Sequence, residues 1–175
     1  MTIDDVLPTW HWRSAHSRRV AAPPERAEAA MRTFGPPDLP LTGLLMRVRG
    51  LGRRVFDDRP LLQSMARIGM VVLVDEPARV VLGGALSPCR LAGGHAATDS
   101  PEGFRAFATP GWVRVAAAFT VDGAGAGSRV GTETRIEATD AAARRRFGHY
   151  WRLVGPFSSI TRREMLAAMR RRAEA

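Results

Sequence analysis

The sequence predicts an α+β protein in which an antiparallel sheet, apolar on one face, is covered by a long C-terminal helix. Two observations carry this. Residues 112–121 and 129–139 alternate apolar and polar positions and flank Asp122-Gly-Ala-Gly-Ala-Gly-Ser128, the pattern of a hairpin with a glycine-rich tip. Residues 141–154 follow the good N-cap Asp140. They place Ala143, Phe147, Tyr150, Trp151 and Val154 within about a third of the helical circumference at ~100° per residue.

The remaining elements are read in chain order. Residues 1–12 look like an irregular lead-in. Residues 14–22 form a moderately polar first strand ended by Pro23-Pro24, and proline suits the first turn of the helix that follows. That helix, 25–34, repeats apolar side chains at Ala27, Ala30, Met31 and Phe34 and stops at Gly35-Pro36-Pro37. Short helical stretches follow at 42–49 and 60–68. Runs 70–74 and 79–82 are rich in β-branched residues and enclose the turn segment 75–78, a first hairpin. Residues 87–103 read as a polar, glycine-bearing loop and 104–108 as a short strand. Past residue 154, Gly155-Pro156 is expected to interrupt the terminal helix. Ser158 or Ser159 would then cap a second segment to about residue 172, with Met165 and Met169 on one side.

Alternation assigns faces, because successive strand side chains point to opposite sides. Val113, Val115, Ala117, Phe119 and Val121 share one face with Val130, Thr132, Thr134, Ile136 and Ala138. Arg114, Arg129, Glu133, Arg135 and Glu137 fall on the other and are expected in water, leaving one covered side and one wet side.

Composition narrows the class. The chain has 175 residues, 45% apolar and 25% charged, the mix of one compact domain able to bury roughly two-thirds of its unfolded surface. One cysteine, Cys89, leaves no disulfide framework and no cysteine-based zinc site. No apolar run is long enough to cross a bilayer, and the acidic opening Met-Thr-Ile-Asp-Asp does not read as a signal peptide, so a cytoplasmic protein is expected. All 26 basic residues are arginine. Residues 140–175 hold nine of them against three acids, and so carry most of the net charge of +9. Such a segment could attract phosphate or an anionic membrane. The plainer reading makes Arg144, Arg145, Arg146, Arg162, Arg163 and Arg170 to Arg172 the solvated back of an amphipathic helix, since no nucleic-acid motif accompanies them.

Candidate chemistry is sparse. The inward sheet face offers Thr132 and Thr134 as hydrogen-bonding groups, and the helix adds Tyr150 and the indole of Trp151. Apolar walls with a few placed neutral polar groups suit a small-molecule site, although Phe119, Phe147, Tyr150 and Trp151 read equally as ordinary core packing. Among the histidines, His149 falls on the solvent side of the helix and His16 lies on a strand whose parity is too weak to assign. His95 sits in the long loop and His11 in the lead-in. Cys89 beside Arg90 has no placed base. No catalytic residue, metal ligand set or cofactor is assigned. Gly123, Gly125 and Gly127 do not open a helix and so make a turn, not a phosphate cradle.

The order strand, helices, antiparallel strands, long terminal helix is similar to the helix-grip fold of the START-like superfamily, which includes polyketide cyclases and Bet v 1-like proteins. His16-Ser-Arg-Arg-Val-Ala-Ala-Pro-Pro-Glu-Arg26 resembles that family's first strand and helix. Thr132-Glu-Thr-Arg-Ile136 with Ala138-Thr-Asp140 resembles its last strand and helix start. Phe147-Gly-His-Tyr-Trp-Arg152 and Pro156-Phe-Ser-Ser-Ile-Thr-Arg-Arg163 resemble the terminal helix of a bacterial branch.

The resemblance implies a single domain over 1–175, a curved antiparallel sheet gripping the C-terminal helix, and a cavity between them for a small hydrophobic or amphipathic molecule. The expected lining is Val113, Val115, Ala117, Phe119, Thr132, Thr134, Ile136, Phe147, Tyr150 and Trp151. Ala117, small where bulk is expected, would enlarge the cavity unless its neighbours fill the space. Two other functions stay open: a cyclase or dehydratase using Tyr150 or His16 as acid-base group, and a basic-helix protein binding nucleic acid, anionic membrane or an acidic partner. A homodimer also stays open.

Overall fold

The computed structural model describes residues 1–48, 59–66, 69–87, 95–96, 98 and 100–175. Its frame is an antiparallel sheet with the order β1-β6-β5-β3-β2: β1 is Trp12–Val20, β2 Val71–Glu76, β3 Arg79–Leu86, β5 Val113–Ala124 and β6 Gly127–Ala138. A two-residue β4, His95–Ala96, pairs with the end of β3. The helices are α1 (Ile3–Val6), α2 (Pro24–Thr33), α3 (Pro40–Val48), α4 (Leu61–Ala66), α5 (Pro101–Ala106) and α6 (Ala141–Glu174), with a 3-10 turn at Pro36–Asp38. The terminal helix packs against β1, β6 and α2, so the architecture is α+β with the helix-grip arrangement.

The central hairpin is longer than its alternation suggested. Both arms run through the glycine tip to a two-residue turn, where Gly125 takes φ +66°, the left-handed conformation that glycine adopts without steric cost. The first hairpin likewise closes on Pro77-Ala78 alone. Proline presets the first turn position, and Ala78 holds φ 59° while its carbonyl accepts a hydrogen bond from the Val121 amide at 2.8 Å.

Three expectations about local structure are corrected. Residues 104–108 are not a strand: Ser100 accepts a hydrogen bond from the Gly103 amide and caps α5, whose Phe104 is wholly buried. The lead-in is not irregular throughout, because Thr2 and Asp5 form a capping box around α1 and His11 continues the pairing to β6. Nor does Gly155-Pro156 end the terminal helix. Its 34 residues, about 50 Å at 1.5 Å per residue, pass through Pro156 without a second cap at Ser158 or Ser159. Proline in a helix interior is unfavourable by about 3 kcal/mol against alanine, so contacts at both ends must hold the helix together. At the N-terminal end, Asp140 accepts from the amides of Ala143 and Gly111. Towards the C-terminal end, Glu164 accepts from the amides of Leu41 and Thr42, Arg172 pairs with Asp38, and Glu174 accepts from the Ala21 amide.

The expected wet face of the sheet is also covered. Ala116 and Ala118 of β5 point to that side and pack with Ile3, Val6, Leu7, Leu73, Val81 and Phe104. Small residues make the close approach workable: a Cβ on Gly83 would lie 2.2 Å from Leu73 Cδ1 and 3.0 Å from Phe104. Arg135, expected in water, is only 4% exposed. Its guanidinium donates to the Leu7 carbonyl at 3.0 Å, to Asp4 at 2.7 Å and to Glu133 at 2.6 Å, and lies over the Trp10 ring. The planar five-donor fork of arginine explains why one side chain can hold so many partners. Glu137 similarly pairs with Arg114 and accepts from Thr9, while Glu133 also pairs with Arg13. Burial raises the Glu133 carboxyl, but its hydrogen bonds to Arg13 and Arg135 prevail and hold it below the ordinary range.

Arg135 is therefore the pin that fastens the N-terminal segment to the back of the sheet. Arg135→Met is expected to lower the unfolding free energy in urea by about 3 kcal/mol, because it strips partners from buried polar groups. An unchanged midpoint would show the pin to be dispensable.

Candidate functional site

Strand register lays out the face beneath α6 in rows. His16, Thr132, Phe119 and Val80 stand side by side in one, and Ser14, Thr134, Ala117 and Leu82 in the next. A third row holds Trp12, Ile136, Val115 and Gly84. This settles the face of His16, which points towards the terminal helix.

The candidate lining residues all lie on this side of the sheet or on α6, but they do not form one body. Val113, Ile136 and Phe147 are buried together with Ala138 and Ala143, and the half-buried Trp12, Val115, Tyr150 and Trp151 pack on them. Phe147 stacks on Trp151 at 5.8 Å and meets Trp12 at 4.9 Å between ring centroids. Phe119 belongs to a second, larger cluster with Phe34, Val130, Met165, Leu166 and Met169. Ala117, Thr132 and Thr134, all buried, fall between the two.

Among the described residues the hydroxyls of Thr132 and Thr134 have no hydrogen-bond partner, although each residue is only 3% exposed. A hydroxyl desolvated without a partner typically costs about 1–3 kcal/mol. Nearly all buried polar atoms in native proteins avoid this, so two such atoms side by side require an explanation.

The helix above offers the counterpart. Its buried residues are Ala143 and Phe147, then Arg162, Met165, Leu166, Ala168, Met169 and Ala173. Between Phe147 and Arg162 no residue is buried. Trp151, Gly155 and Ser158 continue the inward stripe but remain half exposed. The rod thus buries side chains fully at its two ends, while the inward residues of its middle, around Pro156, are only part-buried.

Arg162 corrects its placement on a solvated back. It is 9% exposed, its Nε–H has no acceptor among the described residues, and its Nη1 has the Met165 thioether at 3.7 Å. Burial alone lowers its pKa to about 10, so it remains a cation at neutral pH. Among the described residues it makes no ion pair. Its position was legible in principle: eleven residues after Trp151 is three helical turns, which returns to the same stripe. The expected break at Pro156 hid that phase.

The other candidates separate. His16 lies 3.2 Å from the Ser14 hydroxyl, and its pKa is lowered by burial first and then by the Arg163 and Arg162 cations. His11 accepts the Ala138 amide hydrogen on Nδ1 at 3.0 Å; its pKa is lowered by burial and by Arg144, against Glu137. His149 is exposed beside Arg152, as its angle predicted. Cys89, Arg90 and the side chain of His95 lie outside the described residues. Among the described residues no three His, Cys, Asp or Glu side chains come together to hold a metal ion, and no helix is long and apolar enough to cross a membrane. A half-open hollow of about 420 Å³ is walled by Ile3, Asp4, Ala118, Thr120 and Glu133 on the opposite face of the sheet, and His16 and Thr132 also contribute to its lining.

No protein-family model matches the chain, and no curated protein matches it. Among solved structures it is similar to the crystal structure of TTHA0849 from Thermus thermophilus. The two share 16% identity and a TM-score of 0.39, with 93% of this chain and 97% of that one covered. That degree of likeness identifies no family.

Two outcomes follow from this geometry. Thr134→Val replaces an unpaired hydroxyl by a methyl group of nearly the same shape. In ligand-free protein it should leave stability unchanged or raise it by about 1 kcal/mol in urea unfolding, whereas a loss would reveal a structural partner. His11 and His16 resist protonation in the folded state, so below their ordinary value of 6.5 the unfolded chain binds protons first. Stability should be unaffected by these groups above pH 6.5 and fall as the pH drops through their lower folded values. His16→Gln should lessen that fall between unfolding curves at pH 7.5 and 5.5.

Proposed function

We propose that the protein binds a small hydrophobic or amphipathic molecule between the sheet and the middle of α6. The observation that carries this reading is the pair of buried, unpartnered hydroxyls, Thr132 and Thr134, on the sheet face between two apolar clusters. Apolar walls with a few polar groups left unpaired in the free protein are what a small-molecule site requires. The half-exposed inward stripe at Trp151, Gly155 and Ser158 supports room above them. The reading agrees with membership of the START-like superfamily and with a cytoplasmic carrier or sensor.

The enzymatic alternative has less behind it. His16 faces the site, but its nearest polar partner is Ser14, and no carboxylate orients it among the described residues. A catalytic base normally has such an orienting group. The basic-segment alternative is weakened because Arg170, Arg171 and Arg172 are engaged with Glu174 and Asp38, and Arg162 is buried.

The test is native mass spectrometry of the purified protein combined with a thermal-shift screen of lipids and aromatic polyketides. A true ligand at about a hundred times its Kd should raise Tm by roughly 5–10 °C in a chain of this size. Ala117→Leu, which places bulk beside Thr134, should abolish the shift while leaving a cooperative transition. A protein that carries no adduct and responds to no compound would refute the proposal.

A further inference from the structure

We propose that the molecule held beneath α6 carries an oxyanion head, a carboxylate or phosphate monoester, and that Arg162 is the residue that binds it. This rests on the site proposed above and adds the chemical class of its occupant.

The argument begins with a charge that the fold leaves unanswered. Arg162 sits on the buried stripe of α6 with its Nε–H unpaired and only a thioether near Nη1. A desolvated cation normally requires an anion or several hydrogen bonds, because removal from water costs several kcal/mol even after relaxation. The chain does carry an acid close by on the same helix. Glu164, however, is turned to the α3 start, where it accepts from the Leu41 and Thr42 amides and the Thr42 hydroxyl. Arg162 is left for something else.

The surroundings select the sign and the shape. Arg162 is close enough to His16 to be felt electrostatically, and His16 stands directly opposite Thr132, with Thr134 one row further along β6. The sheet-facing side chains at this place are therefore neutral hydroxyls and an imidazole, all able to donate a hydrogen bond and none negatively charged. An ammonium head would meet a buried guanidinium and no acceptor of opposite charge. An oxyanion would meet a planar donor fork and two free hydroxyls, the combination that arginine serves best. The apolar clusters on either side, one around Phe147 and Trp151 and the other around Phe119, would take the carbon body.

The experiment compares head groups on one twelve-carbon chain, below micellar concentrations, by isothermal titration: dodecanoate, dodecyl phosphate, dodecan-1-ol and dodecylamine. Wild type should prefer one or both anions over the alcohol by about 10- to 100-fold, the effect of one charge-assisted hydrogen bond, and bind the amine most weakly. Which anion leads distinguishes carboxylate from phosphate. Arg162→Met should erase the preference while leaving the alcohol unchanged, and Arg162→Lys should keep part of it. Equal binding of alcohol and anions overturns the oxyanion inference and leaves the cavity reading standing. An anion preference that survives in Arg162→Met overturns the role of Arg162. No binding of any of the four to wild type overturns this inference, and the thermal-shift screen then decides the underlying reading separately. Should Arg162→Met fail to fold, the wild-type head-group series still decides the sign.

Discussion

Every element of this protein answers to one constraint: an alternating β-hairpin of two twelve-residue arms has two faces, and neither can be left to water. On the front, Val113, Phe119, Val121, Val130 and Ile136 present more apolar surface than a short helix could cover, so the chain lays a 34-residue helix across them. On the back, Ala116 and Ala118 present a shallow apolar floor, covered by the first turn of helix, Leu73 and Phe104. Burying roughly 25 cal/mol of transfer free energy per Å² on each side drives both coverings. What differs is how they are fastened. The back is held by the multivalent Arg135, and the front by caps and carboxylates near the ends of the rod.

That difference matters for the candidate site. A cover secured at its two ends need not press on what lies between them. Beneath the middle of α6 the sheet turns from Phe and Val to Ser14, Ala117, Thr132 and Thr134, residues that are small, polar or both. Among the described residues, three of the buried polar atoms without a partner belong to Thr132 and Thr134 on the sheet face and to Arg162 on the helix that covers it.

Much of this was legible in the sequence. Strict alternation gave the inward identity of Thr132, Thr134, Ile136 and Phe119 without ambiguity, because a strand has only two faces. The helical period did the same for Ala143, Phe147 and Trp151. Two features are not legible locally. A charged side chain reads as solvent-facing, yet a guanidinium with three acceptors can be buried, as Arg135 is. Proline reads as a helix end, which resets the phase and turns Arg162 outward. Both differences have a tertiary cause: partners distant in sequence, such as Leu7 and Asp4 for Arg135 or Asp38 and Ala21 for the end of α6, supply energies that local propensity cannot register. The short helix at Phe104 is masked in the sequence because Ser100-Pro101, its capping signal, sits in a polar, glycine-bearing stretch.

Pro156 has one more effect. Lacking an amide hydrogen, it removes one rung from the ladder of i to i−4 bonds midway along the rod, at the stretch with no buried residue. Amide-hydrogen exchange along α6 is therefore expected to divide at this rung, with the turns anchored by Asp140 opening apart from those anchored by Glu164 and Glu174.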